Sequence, residues 1–396
     1  MTLPVLSVKT FDKIAPQGLA LFGAGYAVGA DEADPQLILA RSTKVDTAAF
    51  PSLIAIARAG AGVNTITVDK ATAKGIPVFN TPGANAQAVA ELVFTVLGGF
   101  VRNIPAAYAF MRDMRAESDG AIEKLIEEKK SAFKGSELKG KTLGVIGLGK
   151  IGVLVANGGI ARGMRVVGYD PQPTPGNMHA LETKVELVTS PEEVVAKADI
   201  ISIHVPLFDA TRKLVNDKLL GLAKPGAILL NYSRREICDE DAVVSALESK
   251  RLRGFLTDFP STALLGRSDA LCTPHLGAST AESEDTCAVM AVQQLKRYAE
   301  EGLITNAVNF PTLIMSRRPE TTARVTVVNA DVPNMIASIA GVFGTAGINI
   351  NAMANESNGA VGYNIIDISS SLPREVLATL AALPGVIRTR VIAYSS

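Results

Sequence analysis

Hydrophobic and polar positions follow three successive rhythms along the chain. In the first, short apolar runs at residues 37–40, 54–58 and 77–80 are separated by clusters of Gly, Asp and Lys. Buried strands broken by polar, breaker-rich stretches predict βαβ units, hence a parallel sheet with helices on its faces. Residues 85–114 then read as one long helix, with few breakers until Gly98-Gly99 and Pro105. Residues 117–134 are charged and lack a strand pattern, with a short surface helix expected at 121–130. The second rhythm starts at Lys141 with an apolar strand at 142–146, a Gly-rich turn and a helical stretch. Further strands are expected at 165–169, 200–205, 227–231, 254–257 and 270–273, with helices between them and a long helix at 280–302. From Thr321 the order becomes strand 324–329, helix 333–346, strand 348–355, strand 360–369, helix 373–383 and strand 386–393. That βαββαβ order is the ferredoxin-like split unit. Arg317-Arg318-Pro319 reads as the linker to it.

Composition narrows the class. The chain has 396 residues, enough for two or three cores rather than one. Its 39 Lys+Arg balance 39 Asp+Glu, which argues against nucleic acid or anionic membrane as a partner held by bulk attraction. Three His and three Cys without CxxC spacing leave no multi-ligand metal site to expect. The odd cysteine count reads as reduced thiols in a cytoplasmic protein. The start lacks a signal-peptide pattern, and the longest apolar run, residues 92–101, is too short to span a bilayer.

The candidate chemistry sits at strand ends. Gly147-Leu148-Gly149-Lys150-Ile151-Gly152 follows the strand 142–146 and opens a helix, and Asp170 closes the next strand. In that setting the first Gly makes the turn, the second admits a pyrophosphate, and the third lets helix and strand pack. Asp170 suits both ribose hydroxyls and repels a 2′-phosphate, which favours NAD over NADP. Arg162 and Arg165 are close enough in sequence to blur that preference. His204-Val205-Pro206 ends another strand, where His204 is either a cofactor-pocket residue or a capped strand-end histidine. His179 reads as a surface residue. Arg234 follows the strand 227–231 and could fork onto a carboxylate. His275 follows the strand 270–273 and could exchange a proton with a hydroxyl as hydride moves.

Together, Gly147–Gly152, Asp170, His204-Val205-Pro206, Asn231…Arg234, Asp258 and Thr273-Pro274-His275-Leu276-Gly277 resemble the D-isomer-specific 2-hydroxyacid dehydrogenases. The likeness covers roughly residues 1–310 and includes Arg58-Ala59-Gly60-Ala61-Gly62 and the run ending at Asn85. The C-terminal unit resembles an ACT domain. The resemblance implies an α/β architecture of two doubly wound parallel-sheet domains plus a ferredoxin-like ACT domain. One is a flavodoxin-like substrate domain, expected at 1–97 and 288–310. The other is a Rossmann NAD domain, expected at 98–287. The ACT-like regulatory module is expected at 318–396. It also implies roles. Arg234 would hold the substrate carboxylate, and His275 would be the acid/base. Asp258 and Gly277 would lie near the nicotinamide. Backbone around Gly60 and Gly62, with Asn85, would meet the substrate, and Arg41, Lys44 and Arg58 are the phosphate candidates.

With the Asn306–Pro311 junction and the ACT-like tail, the resemblance points to NAD-dependent oxidation of 3-phosphoglycerate to 3-phosphohydroxypyruvate, the first step of L-serine synthesis, by a homo-oligomer (dimer or tetramer). Two alternatives stay open: reduction of glyoxylate, hydroxypyruvate or another 2-keto acid, and an NAD-sensing corepressor-like scaffold. One departure concerns the chemistry. The family usually pairs its His with a Glu a few residues past the position of Asp258, and no Glu lies between Asp258 and His275 here. Only Asp258 and Asp269 carry carboxylates in that stretch, so His275 is expected to work without the usual partner, with a shifted pH profile. Arg235 stands where Gly is common and adds a cation near the site. In the last module, Asn329, Asp331 and Asn349 fall where ACT domains of this kind bind L-serine between copies. Asn329 replaces a common His and Asn334 a common Gly, so a dimer-forming module without effector is the alternative.

Overall fold

The structure is a computed structural model that describes residues 5–116 and 118–394. Contacts divide the chain into two compact units, Met1–Asn85 with Ala281–Ser396, and Ala86–Thr280. The sequence placed the first join twelve residues later, after 97, and the second seven residues later, after 287.

The first unit begins with a five-stranded parallel sheet: β1 Leu6–Thr10, β2 Tyr26–Gly29, β3 Leu37–Ala40, β4 Ala55–Arg58 and β5 Val78–Phe79, in the order β2-β1-β3-β4-β5. That is the flavodoxin-like order. β3 is buried along its whole length because helices cover both faces, so its apolar run does not alternate. β1, which mixes polar with apolar residues, and the short β2, which ends in Gly29, carry no such run and were not foreseen.

The second unit is a seven-stranded parallel sheet. Its strands are β6 Thr142–Ile146, β7 Arg165–Tyr169, β8 Glu186–Leu187, β9 Ile200–Ile203, β10 Ala227–Asn231, β11 Leu252–Thr257 and β12 Ala270–Cys272. The order β12-β11-β10-β9-β6-β7-β8 reverses between β6 and β9, the topological switch point at which α/β sheets bind ligands. The helix expected over 85–114 is two: Ala86–Val101 and Ile104–Asp113, bent by 65°. Gly98 and Gly99 stay helical. The break comes at Asn103, which is left-handed (φ 53°), with Pro105 following in the next first turn. Among the described residues no single helix is long and apolar enough to cross a membrane.

The C-terminal strands return to the first unit. β13 Ala323–Ala330, β14 Ile350–Ser357, β15 Val361–Ile368 and β16 Val386–Ala393 form an antiparallel sheet in the order β14-β15-β13-β16, the ferredoxin-like arrangement. One face packs on its own two helices through Val325, Val327, Ile339, Phe343 and Ile366. The other joins the first unit's main core: Val328, Tyr363 and Ile365 pack with Phe79, Tyr298 and Phe310. Polar contacts fasten the same face to the C-terminus of the helix Ala281–Glu301. The Arg324 guanidinium donates to the Glu301 carbonyl, Tyr363 Oη to Gly302 O, and Arg390 to the carbonyls of Tyr298 and Ala299. Arg324 also forks onto Asp367 (2.7 and 2.9 Å) with neither side chain exposed. The linker is therefore not a loose tether: Asn309 bonds the backbone of Ile76 and Val78, and Arg317 stacks on Tyr394.

Candidate active site

The switch point lies in the second unit and is built by two strand ends. Gly147 follows β6 with φ 95°, and a Cβ there would lie 2.7 Å from the His204 carbonyl group at the end of β9. A Cβ on Gly152 would lie 1.8 Å from Gly147 O. Both glycines are thus required by packing within the chain. Gly149 differs: it caps the helix Lys150–Ala161 in an extended conformation, and a Cβ on it would meet nothing. The space in front of the second glycine, at the mouth of a helix whose first amides point outward, is open to an anion. Lys150 and Ile151 form the first turn. Asp170, just past β7, braces the loop by accepting from Leu148 N at 2.8 Å and Gln172 N at 2.8 Å. These residues fit a dinucleotide: an open pyrophosphate cradle beside a carboxylate that can take ribose hydroxyls. Neither Arg162 nor Arg165, the two basic residues close in sequence, blurs the preference for NAD. Arg162 lies over the Phe94 ring at 3.9 Å, and Arg165 starts β7 at the opposite end from Asp170.

His204, Val205 and Pro206 lie just beyond β9, which is shorter than expected. His204 donates its backbone N–H to Ile146 O at 2.7 Å, and its Nε2 meets Ser202 Oγ at 2.8 Å. Burial pushes its imidazole down to about 3, so it is neutral, and Nδ1 has no partner in the protein. An unpaired buried ring nitrogen beside the glycine loop supports the pocket reading. His179 sits in a short exposed helix.

The carboxyl ends of β10, β11 and β12 carry the remaining candidates. Asn231 is buried. Its amide donates to the Arg234 carbonyl at 2.8 Å, its Oδ1 accepts from Ser233 N, and Ser233 Oγ reaches Ile203 O. This fixes the loop and leaves the Arg234 guanidinium exposed, with one N–H bonded to Ser233 O. Arg235 turns away to pair with Glu240 at 3.1 Å and is not a free cation for substrate. Asp258 is buried. Its Oδ1 accepts from Thr273 Oγ1 (2.5 Å) and Leu276 N (2.8 Å), and its Oδ2 from Gly277 N (2.7 Å). His275 lies between these anchors in the left-handed region, φ 57°. Its ring meets the Phe259 ring edge-on, centroids 5.3 Å apart. Among the described residues no carboxylate bonds to it. Asp269 is taken by Arg267 at 2.9 Å.

The substrate-loop candidates belong to the first unit. There two of the three expected phosphate cations, Arg58 and Arg41, are engaged within the chain. Arg58 Nε donates to Arg41 O and its Nη1 to Gly62 O, both at 2.7 Å, bracing the loop from beneath. Arg41 pairs with Glu284 at 2.7 Å. Lys44 is exposed. Gly60 N–H is used by Arg58 O, whereas the amides of Ala61 and Gly62 make no internal bond. Asn80 and Thr81 hold this loop through Ala61 O and Gly60 O, and Asn85 ends the segment. Asp12 escaped the sequence reading. It follows β1 at φ 69° and accepts from Arg41 N, Ser42 N, Thr43 N and Thr43 Oγ1. Burial alone would raise its carboxyl, but the bonds from Thr43, Ser42 and Arg41 win and hold it at about 2.

In the C-terminal sheet, Asp331 and Asn349 are exposed. Asn329 is not. It is buried, accepting from Asn364 Nδ2 at 2.7 Å and donating to Ala330 O, so the expectation that its side chain meets an effector is corrected. Among the described residues no cluster could hold a metal ion.

With this geometry in hand, comparisons with known proteins agree. A family model described as D-isomer specific 2-hydroxyacid dehydrogenase, NAD binding domain, matches residues 94–277. The D-3-phosphoglycerate dehydrogenase of Haemophilus influenzae is 31% identical over 360 residues, 87% of this chain and 82% of that protein. Its Mycobacterium tuberculosis counterpart is 35% identical over 331 residues, 78% of this chain and 59% of its own length. Among solved structures, an NAD+-bound 3-phosphoglycerate dehydrogenase from Entamoeba histolytica aligns with TM-score 0.61 and 25% identity, covering 78% of this chain and 99% of that one.

Proposed function

The chain belongs to the D-isomer specific 2-hydroxyacid dehydrogenases, and from that premise we propose that it oxidises 3-phospho-D-glycerate to 3-phosphohydroxypyruvate. NAD, when bound, supplies the hydride acceptor. Gly147, Gly149, Gly152 and the helix N-terminus behind them would hold its pyrophosphate, and Asp170 its ribose. Arg234 clamps the substrate carboxylate and polarises C2. His275 takes the C2 hydroxyl proton as the hydride departs. The open amides of Ala61 and Gly62 are oriented donors for an anionic group. Their loop is kept in shape by Arg58, which thereby acts as a brace. The observation that carries this reading is the switch-point cradle in one unit with Arg234 and His275 on its strand ends.

The product feeds L-serine synthesis, and the C-terminal sheet is proposed to sense L-serine between two copies of the chain through Asp331 and Asn349. Three cysteines with no disulfide fit a reducing compartment, the cytoplasm. Substrate-dependent NADH formation tests the activity. 3-Phosphoglycerate should be used far better than D-glycerate. The reverse order would make this a general 2-keto acid reductase, and failure with every 2-hydroxy acid would favour a nucleotide-sensing scaffold.

A further inference from the structure

Resting on that reading of His275, we propose that the dipeptide Asp258-Phe259 positions the histidine in place of a carboxylate partner: Asp258 sets its backbone and Phe259 its ring. A non-glycine residue in the left-handed region is strained and persists only where its surroundings impose it. Here the imposing group is the Asp258 carboxylate, which grips the chain on both sides of His275, at the Thr273 hydroxyl and at the Leu276 and Gly277 amides. Three short bonds to one buried carboxylate leave residue 275 little freedom. They also spend that carboxylate on the loop, so it is not offered to the imidazole.

Asp269 is bound to Arg267, with Lys250 also within 3.8 Å, and Glu240 to Arg235. The neighbour that the His275 ring does have is Phe259, with ring planes 76° apart. An edge-to-face pair of this kind is attractive beyond the area it buries. That is enough to favour one ring orientation several-fold. Phe259 also borders a cavity of about 310 Å³ shared with Asn231, Arg235 and Leu264. Trimming the ring would therefore widen a cleft that is already open to solvent rather than draw a neighbour into contact with His275. A carboxylate partner selects one imidazole tautomer and stabilises the imidazolium; an aromatic ring restricts rotation without selecting a tautomer. Phe259 is thus a positioning residue, acting on kcat through the aim of His275 and leaving cofactor binding alone.

The test uses the full-length protein and the variants F259L and F259Y. F259L should lose about 5- to 10-fold in kcat, the scale of the orientation preference that the ring pair supplies. Its KM for NAD should stay within about 3-fold, whereas F259Y, which keeps an aromatic ring, should restore kcat to within about 3-fold of the wild type. Histidine-labelled NMR gives a readout independent of turnover, because the chain has only three histidines. The His275 resonance, assigned with H275N, should be displaced by the Phe259 ring current in the wild type and in F259Y, and should return to an ordinary position in F259L. An undisplaced His275 signal in the wild type overturns the proposal whatever the variants do, including when F259L fails to fold. So does an F259L enzyme with wild-type kcat. A wild type that turns over no 2-hydroxy acid would instead sink the functional reading, with the ring contact still read separately by NMR.

Discussion

At the residue scale, the three glycines of the nucleotide loop are not equivalent. Gly152 is enforced by the chain, since a methyl there would collide with Gly147 O. Gly149 has φ −71° and no neighbour in the direction of a Cβ. G149A should therefore change folding stability by no more than about 0.5 kcal/mol while weakening NADH binding. G152A should lose both. Thermal melts beside NADH fluorescence titrations separate the two cases, and equal loss of stability in both would contradict the account. His204 gives a pH prediction. In the unfolded chain it titrates near the ordinary value of 6.5, and in the folded protein at about 3. Folding thus excludes a proton, so this contribution is complete above 6.5 and is lost as pH falls from 6.5 towards 3. The limiting slope is about 1.4 kcal/mol per pH unit, or roughly 2 kcal/mol between pH ~7 and ~5. Urea melts across that range should show the slope in the wild type and a flatter profile in H204N. The glycine loop, Asp170, Arg234 and His275 were legible because their chemistry requires particular residue types at particular strand ends. What Arg58 and Asp12 do was not. Sequence tells that an Arg lies near a Gly-rich loop, but only three dimensions show its guanidinium spent on Arg41 O and Gly62 O.

At the element scale, the buried strands of both parallel sheets were readable because two-sided burial writes uninterrupted apolar runs. β1 and β2 were missed for the complementary reason: β1 is only partly buried and mixes polar with apolar residues, and β2 is four residues long and largely exposed. The kink after Val101 was also misplaced. Gly98-Gly99 looked like a breaker, yet a glycine inside a helix costs only about 1 kcal/mol, which the packed face of Ala86–Val101 offsets. In the C-terminal sheet, the Arg324–Asp367 pair lies on the face that meets the end of the helix Ala281–Glu301. Removing one partner strands a buried charge. R324M should cost about 3–5 kcal/mol, while R324M/D367L should recover much of that loss. Denaturant melts of the two variants check this, and an additive loss in the double variant would show that the charges do not act as a pair.

At the scale of the whole molecule, the pattern along the chain announced three modules, and three sheets are present among the described residues. How the third is attached was not legible, because a docking face reads in sequence like any half-buried strand. Tyr363 and Ile365 alternate as an ordinary strand would, and only the structure shows them packed beside Tyr298 and Phe310. A chain truncated before Arg317 would bare the apolar surface of Phe79, Tyr298 and Phe310 that this sheet covers. It should be markedly less stable or aggregate, a result that size-exclusion chromatography and melting would show. A truncated protein as stable as the full chain would mean the sheet is a detachable appendage. The central claim is that one unit holds a nucleotide cradle and the two side chains that turn a 2-hydroxy acid over. The most direct test is NADH formation from 3-phosphoglycerate and NAD by the wild type beside H275N. The account predicts steady turnover by the wild type and a loss of about 10²- to 10⁴-fold in H275N with NAD binding retained. Equal rates in the two proteins would contradict it.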